Sequence, residues 1–258
     1  MKKIFAVVNQ KGGVSKTTTA LALGQGLAFY GHSVLMIDLD AQCNLTFTAG
    51  VTEDCDGTVR ELLLKEANAS DIIRHTSYGD VIASSTLLSG MDAVLTETGK
   101  EWRLKETLES IVEKYEFIVI DTPPALSILT INALTACTSV IIPVQADIYS
   151  LQGVEHLSDT ISLVRKYSNN TLHIEGILLT RYSQRSVLSR EAAELAGELA
   201  ERLGTKLFRT TIREAVAVKE AQISQQSLFE YAPKANVTGD YRAFIEELLS
   251  GDAGRENG

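Results

Sequence analysis

The sequence predicts a doubly wound α/β fold: a mostly parallel sheet with helices on both faces. Three observations carry this reading. Continuous apolar runs of strand length alternate with stretches of helical periodicity along nearly the whole chain. The first apolar run leads through a glycine-bearing loop straight into a helix. Two of the strongest runs end in aspartate, at the carboxyl edge where such sheets hold their ligands.

"KIFAVV" (3–8) is a short, continuous apolar run and reads as a buried parallel strand. "KTTTALALGQGLAFYG" (16–31) reads as a helix closed by Gly31. "SVLMIDLD" (33–40) is a second buried strand that delivers Asp38 and Asp40 at its end, and "GDVIASS" (79–85) is a weaker one. "WRLKETLESIVEKY" (102–115) has apolar residues at helical spacing, and "EFIVIDTPPA" (116–125) is a third strong strand, stopped by Pro123–Pro124. Further strands are expected at 138–144, 172–180 and, with less pattern to support it, 205–210, with helices at 147–167, 189–203 and 238–249. The expected organisation is one domain over residues 1–250, followed by a disordered tail, "GDAGRENG" (251–258).

Composition narrows the class. The chain has 258 residues, 45% hydrophobic and 22% charged, an ordinary globular balance. Three cysteines (Cys43, Cys55, Cys137) stand at no metal spacing, four histidines are scattered, and "MKKIFAVV" leads straight into a strand without a signal peptide. Reduced thiols in a cytoplasm are therefore expected. No apolar run is long enough to span a bilayer. A net charge of −9 argues against a nucleic-acid coat, but residues 175–220 hold 8 Lys/Arg against 7 Asp/Glu, a local balance the rest of the chain lacks.

The chemistry gathers at the strand ends. "NQKGGVSKTTTA" (9–20) nearly spells the phosphate-binding pattern G-x-x-x-x-G-K-[ST], yet Gln10 and Ser15 occupy its two glycine positions. Gly12–Gly13 and an extra lysine, Lys11, stand there instead. A strand, a glycine loop and a helix opening on Lys-Thr-Thr still form a phosphate cradle, because backbone N–H groups and the helix N-terminus face negative charge. The cradle spans Lys11, Gly12, Gly13, Val14, Ser15, Lys16, Thr17 and Thr18. In it Lys16 neutralises β/γ-phosphate oxygens, the Thr17 hydroxyl ligates Mg²⁺ and Thr18 reaches the α-phosphate. Asp121, closing an apolar strand, suits a carboxylate that holds Mg²⁺ through water.

"KGGVSKTT" resembles the deviant phosphate-loop motif, KGGxxKT, of the ParA/MinD class of P-loop ATPases. The likeness covers nearly the whole chain. "DLDAQCNLT" (38–46) and "DTPPALSILTINAL" (121–134) are similar to that family's two switches, and "VIIPVQADIYSLQGV" (140–154) to a further block. "FRTTIREAVAVKEA" (208–221) and "YAPKANVTGDY" (231–241) resemble the C-terminal blocks of short, Soj-type partition ATPases. The chain departs from the pattern at Ser15, Ala41 and Cys43. The resemblance implies a P-loop NTPase fold of the SIMIBI type, with ATP and Mg²⁺ as cofactors. It implies that two protomers close face to face over two nucleotides and that Lys11 crosses to the partner's phosphates. It also implies that Asp40 handles the attacking water while Asp38 helps order the Mg²⁺ waters.

Which member of the class is present rests on charge. A partition ATPase, nucleoid-associated in the cytoplasm, would bind non-specific DNA as an ATP dimer and be stimulated by a ParB-type centromere-binding partner. Its DNA contacts would come from Arg181, Arg209, Arg213, Lys219 and Lys234, with Arg185 and Arg242 as further candidates. A MinD-like membrane switch needs a basic amphipathic C-terminal helix. Here that end, "DYRAFIEELLSGDAGRENG", is acidic, so no membrane partner is expected. An electron-transfer ATPase would need two cysteines near the second switch, where Cys137 stands alone. A tyrosine-kinase relative would carry a Tyr-rich tail, which is missing.

Overall fold

The computed structural model describes residues 2–52 and 57–253. Seven strands form one sheet in the order β3-β4-β2-β5-β1-β6-β7. They are β1 (Lys3–Val7), β2 (Val34–Asp38), β3 (Ile73–Thr76), β4 (Gly79–Ile82), β5 (Phe117–Asp121), β6 (Ser139–Gln145) and β7 (His173–Thr180). Every pairing is parallel except β3 with β4. The predicted doubly wound fold is the one observed.

The reason lies in the pleat. Side chains alternate across a strand, so a strand covered on both faces must be apolar at every position. In β2 all five residues are buried, and β5 is the same. Leu35, Ile37, Ile118, Ile120, Val140 and Ile142 join one core with the helices Ile128–Ala136, Ile148–Tyr167 and Val187–Arg202. Phe5, Val7, Met36, Val119, Ile141 and Leu178 join the other, with the helices Lys16–Phe29 and Asn236–Ala253. Leu23 and Leu27 of the first helix are fully buried there, each contributing about 1.5–3 kcal/mol. Gly26 sets how near these two helices lie. A Cβ at that position would overlap the side chains of Ile245 and Phe229, so any larger residue must displace them.

Several expectations need correction. The stretch 102–115 is not one helix: Arg103–Leu108 is α-helical, flanked by 3₁₀ turns at Lys100–Trp102 and Val112–Lys114. The Ser110 hydroxyl donates to the Thr107 carbonyl, the kind of local bond that competes with helix continuation. Residues 205–210 make no strand. Leu207 and Ile212 form single bridges to β7, while the Glu247 carboxylate accepts the Arg209 and Thr210 N–H groups at 2.8 and 2.9 Å. A side chain there takes the place of a neighbouring strand. The last helix runs on to Ala253, so 251–253 are helical rather than disordered. The remainder of the predicted tail, and Cys55, lie outside the described residues; Cys43 and Cys137 are buried.

Candidate functional site

The carboxyl ends of β1, β2 and β5 adjoin one cavity of about 640 Å³. Gly12, Gly13, Ser15, Lys16, Thr17 and Thr18 form its floor. The loop is tied down at both sides. The Asn9 amide donates to Pro143 O at 2.8 Å and accepts from Lys11 N at 2.9 Å, and Thr180 Oγ1 donates to Val14 O at 3.1 Å. Gly13 (φ 79°) and Ser15 (φ 66°) adopt left-handed backbone, which turns the chain sharply into the helix. Ser15 makes no side-chain cap, so the helix N-terminus faces the cavity with its own N–H groups.

Lys16 is 7% exposed, and its ammonium donates to Lys11 O at 3.0 Å. Burial holds it below its ordinary lysine value, against the pull of Asp121 and Asp40. Asp121 and Asp38 face each other in the β2–β5 register, both fully buried. Burial, reinforced by Asp38, pushes Asp121 well above the usual carboxylate range, although the neighbouring Thr17 hydroxyl works the other way. One Asp121 oxygen accepts Thr122 N at 3.1 Å, while the other, Oδ2, has no hydrogen-bond partner among the described residues.

These residues fit a magnesium polyphosphate. A buried carboxylate oxygen without a donor wants a cation or a metal-bound water. A Cβ placed on Gly12 or Gly13 would meet nothing within 4 Å, so the cradle is open where a phosphate would enter. Among the described residues no three His, Cys, Asp or Glu side chains form a metal cage. That suits Mg²⁺, which takes one or two protein ligands and completes its shell with phosphates and water. Thr17, which lines the cavity, and Asp121, beside it at the end of β5, are the residues that would hold such an ion.

The first-switch aspartates divide. Asp40 is 9% exposed and lines the cavity, with Oδ1 accepting Gln42 N at 3.1 Å. Asp38 turns inward: Oδ1 accepts Asp40 N at 3.0 Å, and Oδ2 accepts the N–H and hydroxyl of Thr46 at 2.9 and 2.8 Å. Burial pushes Asp38 up to about 6 although those bonds favour its charged form. Its oxygens thus tie the segment after β2 to the helix Asn44–Thr48.

Lys11 lies outside the cavity. Its ammonium donates to both oxygens of Asp147, at 2.9 and 3.0 Å. Asp147 caps the helix Ile148–Tyr167 by accepting Ser150 N and Ser150 Oγ, each at 2.9 Å. Partial burial raises this carboxyl, but Lys11 and Ser150 outweigh it and hold it below the ordinary aspartate value. Asp147 was missed from sequence, although Asp three residues before Ser150 is a cap signal.

The five residues chosen for DNA separate into two groups. Arg181 and Lys219 line the phosphate cavity, together with Phe47, Gln222 and Ile223, and Gln222 donates to Thr18 Oγ1 at 3.2 Å. Arg209, Arg213 and Lys234 stand outside it. Arg209 has a 91% exposed side chain near Glu247, Arg213 is clasped by Asp240 at 2.7 and 2.8 Å, and Lys234 is exposed. Arg242 stacks over Phe29, its guanidinium 5.6 Å from the ring centre.

A family model for the AAA domain matches residues 2–174. The sporulation initiation inhibitor protein Soj of Bacillus subtilis (strain 168) is 39% identical over 254 residues, 97% of this chain and 99% of Soj. The chain belongs to the ParA/Soj family of P-loop ATPases. The chromosome partitioning protein ParA of Caulobacter vibrioides (strain NA1000 / CB15N) is 35% identical over 260 residues, 98% of this chain and 96% of that protein. Among solved structures, cobyrinic acid a,c-diamide synthase from Mycobacterium smegmatis with bound ADP and magnesium superposes with a TM-score of 0.84 at 32% identity, covering 96% and 94% of the two chains. A ParA/Soj-type chain with an ADP- and magnesium-bound neighbour is consistent with ATP and Mg²⁺ as cofactors. No helix among the described residues is long and apolar enough to cross a membrane.

Proposed function

We propose that this chain is a single-domain DNA-partition ATPase acting in the cytoplasm on the nucleoid. The observation that carries the reading is the division of the two loop lysines. Lys16 is buried at the floor of the phosphate cavity, and Lys11 stands outside it in an ion pair that ATP can compete with. Bound ATP–Mg²⁺ supplies the phosphoanhydride to be cleaved and the countercharge for both lysines. Lys16 and the helix N-terminus orient the phosphates, Thr17 and Asp121 hold the metal position, and Asp40 holds the attacking water. Phosphoryl transfer of this kind depends on positioning and charge stabilisation more than on covalent help from the protein. Lys11 then leaves Asp147 for a second protomer's phosphates, which makes dimerisation depend on ATP.

Dimerisation also brings together two copies of Arg209, Arg213 and Lys234, so phosphate contacts that are weak singly act together. A ParB-type partner triggers hydrolysis and release. The alternative, a MinD-like membrane switch, finds little support in a C-terminal helix whose sequence places Asp240, Glu246, Glu247 and Asp252 against Arg242. A diamide synthase shares this fold with bound ADP and magnesium, and DNA binding separates the two readings. The test is DNA binding by the protein with ATP, with ADP and with neither. ATP alone should support binding to duplexes of any sequence, and binding should fall steeply as salt rises. Arg209→Glu should weaken it for all sequences alike. Binding that is insensitive to nucleotide or salt, or that goes to anionic vesicles instead, would overturn the reading.

A further inference from the structure

Asp40 sits two residues beyond the end of β2, past the last ladder bond, in which Leu39 N donates to Asp121 O at 3.0 Å. Something other than the sheet must fix its backbone. Three buried residues from separate segments do so. Asp40 N donates to Asp38 Oδ1 at 3.0 Å. Asp38 Oδ2 accepts the Thr46 hydroxyl at 2.8 Å. Thr46 Oγ1 in turn accepts Ser84 N at 2.8 Å, and Ser84 Oγ donates back to Asp40 O at 2.7 Å. The bonds close a ring that joins the end of β2, the short helix Asn44–Thr48 and the segment after β4. Asp38, Thr46 and Ser84 are 0% exposed, and none of them lines the cavity. Of the ring's members Asp40 alone lines the cavity, while Asp38 also lies beside Asp121 in the β2–β5 register.

We propose that Thr46 and Ser84 are positioning residues for ATP hydrolysis, acting through Asp40. This rests on the reading of Asp40 as the water-handling carboxylate. Each hydroxyl has a distinct part. Thr46 is donor to Asp38 and acceptor from Ser84 at once, so it sets the distance between the switch and β4. Ser84 restrains the Asp40 carbonyl, and with Asp38 on the N–H the peptide groups on both sides of residue 40 are fixed. With its backbone so held and its Oδ1 accepting Gln42 N, the carboxylate is restrained where it lines the cavity. Within a buried network, losing one member loosens the rest, and a misplacement near 1 Å at a reacting group can lower a rate by about two orders of magnitude.

The test uses the full chain with Mg²⁺ and a fluorescent ATP analogue for affinity, and single-turnover ATP hydrolysis for rate. Thr46→Val keeps the volume and removes the hydroxyl; it should slow hydrolysis by roughly 10- to 100-fold and leave nucleotide affinity nearly unchanged. Thr46→Ser, which retains the hydroxyl, should restore most of the rate. Ser84→Ala removes a single bond and serves if Thr46→Val does not fold; it too should lose rate and keep affinity. In an Asp40→Ala background, Thr46→Val should produce no further loss. A merely structural role would lower melting temperature and affinity together and would subtract equally in both backgrounds, and either outcome overturns the proposal. Parental hydrolysis in Thr46→Val or Ser84→Ala overturns it too while leaving the role of Asp40 intact. Parental hydrolysis in Asp40→Ala itself overturns both.

Discussion

Asp147→Asn is the substitution that probes the resting position of Lys11. The Asp147 carboxylate receives the Lys11 ammonium on both oxygens at 2.9 and 3.0 Å, with the side chains 33% and 30% exposed. Exposed ion pairs contribute about 0.2–1 kcal/mol, and a charge-assisted, two-point contact on partly buried groups belongs near the upper end, about 1 kcal/mol. A symmetric dimer breaks two such pairs, one per protomer, so about 2 kcal/mol opposes association, a factor of roughly 30. Asparagine keeps an acceptor for Ser150 N, so the helix cap survives while the charge goes. Sizing by light scattering, titrated with a slowly hydrolysed ATP analogue, should show the variant dimerising at roughly 30-fold lower protein concentration. Lys11→Ala, as control, should not dimerise at all. If Asp147→Asn dimerises no better than the parent, or worse, the ion pair is not a resting latch and Asp147 instead supports the lysine in its working pose.

Two further outcomes concern the loop and the buried acids. Asp121 titrates well above its ordinary 3.8, so the stability its protonated form contributes is present below that value and lost as pH rises through the folded one. Asp121→Asn should therefore raise the melting temperature of the nucleotide-free protein at pH 7–8, by about 2–4 °C for each kcal/mol relieved. The gain should vanish near pH 4, while Mg²⁺-dependent nucleotide affinity is lost; a gain independent of pH would refute the burial argument. Ser15 holds φ 66° without using its side chain as a cap, a conformation that strains any residue with a Cβ by about 1 kcal/mol or more. Ser15→Gly should raise the melting temperature by about 2 °C after the extra chain entropy of glycine is set against it, and a fall measured by calorimetry would show that no strain is stored there.

How much of this could be read from sequence follows from how local each cause is. β1, β2 and β5 were legible because strands covered on both faces are continuously apolar, as "VLMID" and "FIVID" are. β3, "IRHT", was not, because it lies at the sheet edge, is mostly polar, and pairs through a turn of two residues. The cradle was legible because glycine spacing and a following lysine are local facts. The partners of its side chains were not: Lys11 finds Asp147 136 residues away, and Ser84 finds Asp40 44 residues away. Arg181 and Lys219 were grouped with the outer arginines because charge counts carry no direction. Only the fold, which brings the loop after β7 and the helix Val216–Ile223 to the glycine loop, turns them toward the cavity.

The flanks of the sheet bear on how copies of this chain can associate. A sheet ending in long, unpaired backbone invites other chains to add strands to it. Here one flank is the four-residue β3 carrying Arg74 and His75, and the other, β7, is partly occupied by bridges from Leu207 and Ile212. Neither offers a clean template for backbone-to-backbone growth. On the nucleotide-dependent dimer proposed above, larger assemblies of this chain would be joined through side chains and nucleotide between units that stay folded. Such joints come apart when the nucleotide is consumed, whereas a cross-strand fibre, with every backbone group paired along its axis, would not.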